Sequence, residues 1–311
     1  MPATFPTGGP PELPGDLLDA LRERADPSAA RPLTVVVAAG GDRVVAALTA
    51  LGGPDLRVLT GSAPAASPVT GLRQDVLAHS ADLALLPDPD GDRCTVLDEN
   101  GEPVDPAVVV ALVALPEAAR VRGTGAVVAQ DVLVSRVLTD LLAATGARTE
   151  RVATGRAALA AAAGRPGTVL AVGHDGLVLA PPADGVPLPG DLLTALHVVA
   201  ALGAQPHPLS VLAELHQASV TSGEIVVPVA DPNAARERVV EAYVERRGAG
   251  AVGTDDLDGL TVSHWGQPPP WWFHLRADAA GLVVRLHVEA ADEDIMEKVR
   301  DDVLDLVRLE D

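Results

Sequence analysis

The chain has 311 residues, 48% of them hydrophobic, which suits two or three small folded domains and excludes an extended disordered protein. Its formal net charge of -20 repels DNA, RNA and anionic membranes, and aromatics at 2% leave few rings to stack on bases or sugars. Cys94 is the single cysteine, so neither an intrachain disulfide nor a cysteine metal cluster is expected.

Residues 1–30 are rich in Pro and Gly and hold one helical stretch, DLLDALRER, with Leu17, Leu18 and Leu21 on one face. They show no basic or apolar leader pattern, and the longest apolar run, AVVVALVAL, is too short to span a bilayer. A soluble cytoplasmic protein is the expectation. Residues 31–120 then alternate: LTVVVAAGG as a buried strand, DRVVAALTALGG a helix, LRVLT a strand, VTGLRQDVLAHS a helix, ADLALL and CTVLD strands, and DPAVVVALVALP a helix. The Gly40-Gly41 junction lacks the full G-x-G-x-x-G spacing and reads as a βα turn more readily than as a dinucleotide site.

The pattern restarts over 121–218. TGAVVAQ, RTERVAT, GTVLAVG and GLVLAP read as strands, and LVSRVLTDLLAATG, GRAALAAAAG, GDLLTALHVVAALG and LSVLAELHQ as helices. From 219 to 311 strands follow one another directly in GEIVVPVA, DGLTVSHW, WWFHLRA and GLVVRLHVEA, with helices at NAARERVVEAYVERRG and EDIMEKVRDDVLDLVRL. The fold class is therefore α/β: two consecutive α/β modules with mixed, mostly parallel sheets, then a C-terminal α+β antiparallel domain.

The stretch LLPDPDGDRCTVLD, residues 85–98, sets Asp88, Asp90 and Asp92 at alternate positions of a tight turn. Such hard oxygen ligands suit Mg²⁺ or Ca²⁺, and Gly91 lets the chain turn sharply between them. An EF-hand would need Gly where Arg93 stands, and helices where the flanks read as strands. A solvated acidic turn is the plain alternative.

In its context, ADLALLPDPDGDRCTVLDENGEPVDPAVVVALVA resembles the metal-loop region of the α-D-phosphohexomutases, the phosphomannomutase/phosphoglucomutase family. Asp88, Asp90, Asp92 and Arg93 match its Asp-Gly-Asp-(Gly/Ala)-Asp-Arg loop, with Pro89 in place of a glycine. The resemblance continues in order through ALHVVAALGAQPHPLSVL, SGEIVVPVAD and the final strands, and covers about residues 31–311. It implies the family's second, third and fourth domains. It also implies Mg²⁺ on the three aspartates, and sugar-phosphate contacts at Arg93, His174 and Arg276.

The family moves a phosphoryl group between two hexose hydroxyls from a phosphoserine in a preceding domain, chemistry that rests on positioning and charge neutralisation. About thirty residues ahead of the first strand are too few for that domain, and no Thr-Ala-Ser-His-Asn-Pro-like motif occurs. Ser62 and Ser67 have no neighbouring His, Asn or Lys to activate them. The sugar loop aligns with Ala171, Val172, Gly173, His174 and Asp175, and only its histidine survives. The family's Val-Gly-His loop aligns near Thr154, Gly155 and Arg156, with Ala160 in place of a lysine. The phosphate loop aligns with Arg276, Ala277, Asp278, Ala279, Ala280, Gly281 and Leu282. Arg276 remains, but a carboxylate at Asp278, ~4 Å from a phosphate charge, opposes it by roughly 4 kcal/mol at an effective dielectric of ~20.

Three readings follow. The first is a catalytically inactive homologue that acts by binding a protein partner among sugar-phosphate or sugar-nucleotide enzymes, with hexose phosphate bound weakly or not at all. The second is a Mg²⁺-dependent hexose-phosphate binder, or a mutase of altered specificity with the nucleophile supplied by another chain. The third takes the acidic loop as a fold remnant. In it Trp271 and Trp272, a third of the six aromatics, either anchor a partner with one exposed ring or both pack inside.

Overall fold

The computed structural model describes residues 11–29, 31–62, 67–121, 125–216, 219–245, 252–278 and 281–309. Residues 63–66, between Ser62 and Ser67, and the aligned positions Ala279 and Ala280 lie outside them. The chain divides into two compact units. One holds residues 1–130, 140–150 and 156–216, the other 131–139, 151–155 and 217–311.

In the first unit, helix α1 (Gly15–Arg24) precedes β1 (Leu33–Val37), α2 (Asp42–Leu51), β2 (Leu56–Thr60), α3 (Pro68–His79), β3 (Leu83–Pro87), β4 (Cys94–Leu97) and α4 (Pro106–Arg120). The sheet order is β2-β1-β3-β4. β1 runs parallel to β2 and β3, while β4 returns antiparallel to β3. The mostly apolar runs LTVVV of β1 and LALLP of β3 match their burial between helices.

The pattern then repeats. β5 (Val127–Asp131), α5 (Arg136–Thr145), β6 (Arg148–Val152), α6 (Arg156–Ala163), β7 (Thr168–Val172) and β8 (Val178–Leu179) give the order β6-β5-β7-β8. β5 is parallel to β7, and β8 again returns antiparallel. β8 is shorter than the sequence suggests because Pro181 and Pro182 follow it. α7 (Gly190–Gly203) and α8 (Leu209–His216) complete the run. α7 is buried on nearly every side, as a helix apolar all round must be, and packs on α2 and α4.

α4 continues past Pro116, where the spacing predicts its end. The proline removes one backbone bond, but the turn beyond it carries Glu117, fully buried and held by Arg24 Nε at 3.0 Å and His197 Nε2 at 3.0 Å. Burial opposes ionisation there, yet His197 and Arg24 hold the Glu117 carboxyl below its usual range.

The second unit centres on a five-stranded antiparallel sheet, β10-β11-β12-β13-β9. Its strands are β9 (Val220–Pro228), β10 (Gly253–Asp255), β11 (Leu260–Ser263), β12 (Trp271–Ala277) and β13 (Val283–Ala290). The helices are α9 (Pro232–Val240), continued by a π turn at Glu241–Glu245, and α10 (Glu293–Arg308). α10 lays one apolar face, including Val299, Val303 and Val307, on β9 and β13.

Trp271 and Trp272 are 5% and 0% exposed, so of the two alternatives for the pair both rings pack inside and neither is an exposed anchor. Alternation does send them to opposite faces of β12, but both faces are covered. Trp271 joins Tyr243 and Phe273, with Tyr243 edge-on at 5.7 and 5.0 Å. Trp272 donates its indole N–H to Glu289. The buried Glu289 carboxylate also accepts the hydroxyls of Ser135 and Ser219 and the Arg136 backbone N–H at 3.0 Å. Four donors satisfy one buried anion. Glu289→Ala would strand all four and should lower stability by about 3–5 kcal/mol in denaturant unfolding, whereas an exposed change such as Glu297→Ala should move it by less than about 0.5 kcal/mol.

Candidate functional site

The antiparallel pairing of Pro87 with Cys94 forces residues 88–93 into a tight connection. Gly91 takes a φ of +75°, open to glycine at no steric penalty. One carboxylate oxygen organises the turn. Asp88 Oδ1 accepts the backbone N–H of Gly91 at 2.9 Å, of Asp92 at 3.1 Å and of Arg93 at 3.3 Å. The other, Oδ2, faces Arg93 Nη1 at 3.4 Å.

Arg93 works on two sides. Its Nη1 lies 3.2 Å from Asp92 Oδ1, and its Nε and Nη2 donate to Asp175 Oδ2 at 3.0 and 2.8 Å. Partial burial opposes its charge, but Asp175 and then Asp88 raise the guanidinium above its usual range. Asp92 is buried, and its Oδ2 forms an ion pair with Arg156, the first residue of α6. Asp90 is exposed at the tip of the turn. His174 and Asp175 form the turn from β7 to β8, so the structure brings the acidic loop and the sequence-aligned sugar loop together through Arg93 and Asp175.

The start of α7 closes the loop from below. A Cβ on Gly190 would stand 2.0 Å from the Val178 carbonyl oxygen and 2.8 Å from that of Asp92. The same strands and loop are stitched by Val178 N–H to Asp92 O at 2.9 Å and Asp191 N–H to Gly91 O at 3.2 Å. This close approach buries Asp191, with Arg43 Nη2 3.9 Å from its Oδ1. Burial, with Asp88 adding to it, pushes the Asp191 carboxyl up to about 6 against the pull of Arg43. Cys94 lies buried at the foot of the loop, which raises its thiol and makes it inert. Ser62, weighed as a nucleophile, donates its hydroxyl to Asp75 Oδ1 at 2.6 Å, with no histidine between them.

Arg276 belongs to the second unit, on β12. Its Nη1 donates to Thr154 Oγ1 at 2.6 Å and lies 3.6 Å from Asp258 Oδ2, and its Nη2 donates to Glu224 Oε2 at 3.3 Å. Asp278 Oδ1 accepts the N–H of Leu282 at 2.9 Å and of Val283 at 3.2 Å, closing the turn to β13.

No family model matches the chain, and two kinds of comparison show what it is similar to. Over 139 residues the chain is 35% identical to the phosphoglucosamine mutase of Kineococcus radiotolerans, a match that spans 45% of this chain and 28% of that protein. A phosphoglucomutase/phosphomannomutase family protein from Burkholderia thailandensis superposes with a TM-score of 0.72 at 21% identity, covering 94% of this chain and 64% of its own. The chain has the phosphohexomutase fold, and part of it resembles a phosphoglucosamine mutase in sequence. The N-acetylphosphoglucosamine mutase of Aspergillus fumigatus, solved with GlcNAc-6P and magnesium, shares the fold at a TM-score of 0.63 and 15% identity, covering 94% of this chain and 64% of that one. The chain thus spans less than two thirds of these solved phosphohexomutases.

Mg²⁺ would require Asp88, Asp90 and Asp92 to face one point. Among the described residues no group of three or more His, Cys, Asp or Glu side chains is set to share an ion. Asp88 and Asp92 turn to backbone N–H groups and arginines instead, so the loop as folded does not fit the ion. Asp191, Arg43 and the pairing roles of Asp175 and Arg156 carry no local sequence signal; they meet the loop only through the tertiary fold.

Gly190→Ala should destabilise by about 3 kcal/mol or more in urea unfolding, because the added methyl meets backbone on two sides. The Asp191 carboxyl holds its proton more tightly folded than unfolded, so its contribution is complete below about pH 4 and is lost as pH rises through about 6. Asp191→Asn should therefore stabilise by about 2 kcal/mol at pH 7.5 and by almost nothing at pH 4, read from paired unfolding curves at the two pH values.

Proposed function

We propose that this phosphohexomutase-fold chain does not transfer phosphoryl groups on its own and acts by binding, with a protein partner in sugar-phosphate or sugar-nucleotide metabolism. The observation that carries this reading is the commitment of Arg276. In the alignment it is the one cation left in the phosphate loop, and its two terminal nitrogens face Thr154, Asp258 and Glu224. A phosphate arriving there would have to displace two carboxylates that already neutralise the guanidinium. The β7–β8 turn supports the same reading, since Asp175 stands in it paired to Arg93 and no glutamate is present to hold sugar hydroxyls. A cytoplasmic location goes with this reading. Among the described residues no helix is long and apolar enough to cross a membrane.

The test is a mutase assay on the full chain with hexose and hexosamine 1-phosphates, Mg²⁺ and the matching 1,6-bisphosphate as phosphoryl donor. The expected result is no turnover above the no-protein blank and no saturable sugar-phosphate binding by calorimetry. Turnover that disappears in Arg276→Ala would establish the second reading, a live sugar-phosphate site, in its place.

A further inference from the structure

We infer that Arg156, together with Arg93, is the resident counter-cation of the acidic loop, so that the loop is complete without a divalent ion and Arg156 keeps Mg²⁺ off Asp92. The inference deepens the non-catalytic reading and rests on it. Its readout is ion binding and not turnover, so the two can fail separately.

Asp92 is buried. A carboxylate buried this deeply is stable only with a cation or several donors against it. Its Oδ1 faces Arg93, and the partner of its Oδ2 is the ionic contact with Arg156. Asp88, the next anion, has one oxygen filled by three backbone N–H groups and the other facing Arg93. Guanidinium groups therefore stand on Asp88 Oδ2 and on both oxygens of Asp92, where an ion would bind.

The position of Arg156 is a separate clue. It opens α6, whose first turn holds no acidic residue. A cation at a helix N-terminus faces the positive end of the macrodipole and is placed unfavourably for the helix itself. The ion pair with Asp92 supplies a reason for a positive charge there. Mg²⁺ needs near-octahedral oxygen ligands at about 2.0–2.1 Å, whereas a guanidinium is satisfied by hydrogen-bond distances and a planar approach. The two cations ask for different side-chain arrangements of one loop, and the arrangement present sets arginines against Asp88 and Asp92, with no cluster of three acidic side chains shared at one point among the described residues.

The full chain, its Arg156→Gln and Arg156→Lys variants and the double variant Arg156→Gln with Asp92→Asn would be melted in millimolar Mg²⁺ or in NaCl of equal ionic strength. Mn²⁺ binding would be read in parallel by electron paramagnetic resonance. Arg156 is more than half exposed, so its replacement leaves the core untouched, and the lysine variant controls for charge. The wild type and Arg156→Lys should melt at the same temperature in both salts. Arg156→Gln should melt lower in NaCl, recover in Mg²⁺ and bind Mn²⁺ about tenfold or more tightly than the wild type. The double variant should lose that response. The inference is overturned if the wild type takes up Mn²⁺ as tightly as Arg156→Gln. It is equally overturned if Arg156→Gln is as stable as the wild type and indifferent to both ions.

Discussion

The absence of a side chain at Gly190 sets the spacing on which the acidic loop depends. With carbonyl oxygens 2.0 and 2.8 Å from where a Cβ would be, α7, β8 and residues 91–92 meet backbone to backbone. That approach allows the Val178–Asp92 and Asp191–Gly91 bonds to form and carries Asp191 below the loop. It also explains why a carboxylate is buried there: the helix start is pinned by its backbone, and the next side chain has nowhere else to go. The apolar surround of α7 fixes the helix from its other sides.

Around this backbone clamp the electrostatics are local. The chain is strongly acidic as a whole, yet Asp88, Asp92, Asp175 and Asp191 each face an arginine, supplied by Arg93, Arg156 or Arg43. With one lysine in the chain, planar guanidinium groups carry nearly all of this pairing. Arginine suits the task because one group can bridge three carboxylates, as Arg93 does. The second unit uses another device at Glu289, where neutral donors satisfy the anion: two hydroxyls, an indole and the backbone N–H of Arg136.

Much of the fold was legible in the sequence because its signals are local. Val-rich strands bounded by Gly and Pro, and helices entered at Asp105-Pro106 or Asp231-Pro232, declare themselves within ten residues. β10 did not, since Gly253–Asp255 has no strand propensity and exists only by pairing with β11. The acidic loop was legible as a cluster of ligands, but not the direction in which those ligands point. That depends on Arg93 and on Arg156, the latter 64 positions beyond Asp92 and brought in by packing. Trp271 and Trp272 teach the same lesson, because alternation assigns opposite faces of a strand and cannot say that both are covered.

The two strand orders, β2-β1-β3-β4 and β6-β5-β7-β8, are one plan used twice. In each copy the last two strands form an antiparallel hairpin, so residues 88–93 and 173–177 are equivalent turns. Arg93 and Asp175 therefore join a turn to its own counterpart. The two turns carry opposite charges where they meet, so the seam between these similar halves holds by their difference and not by their likeness.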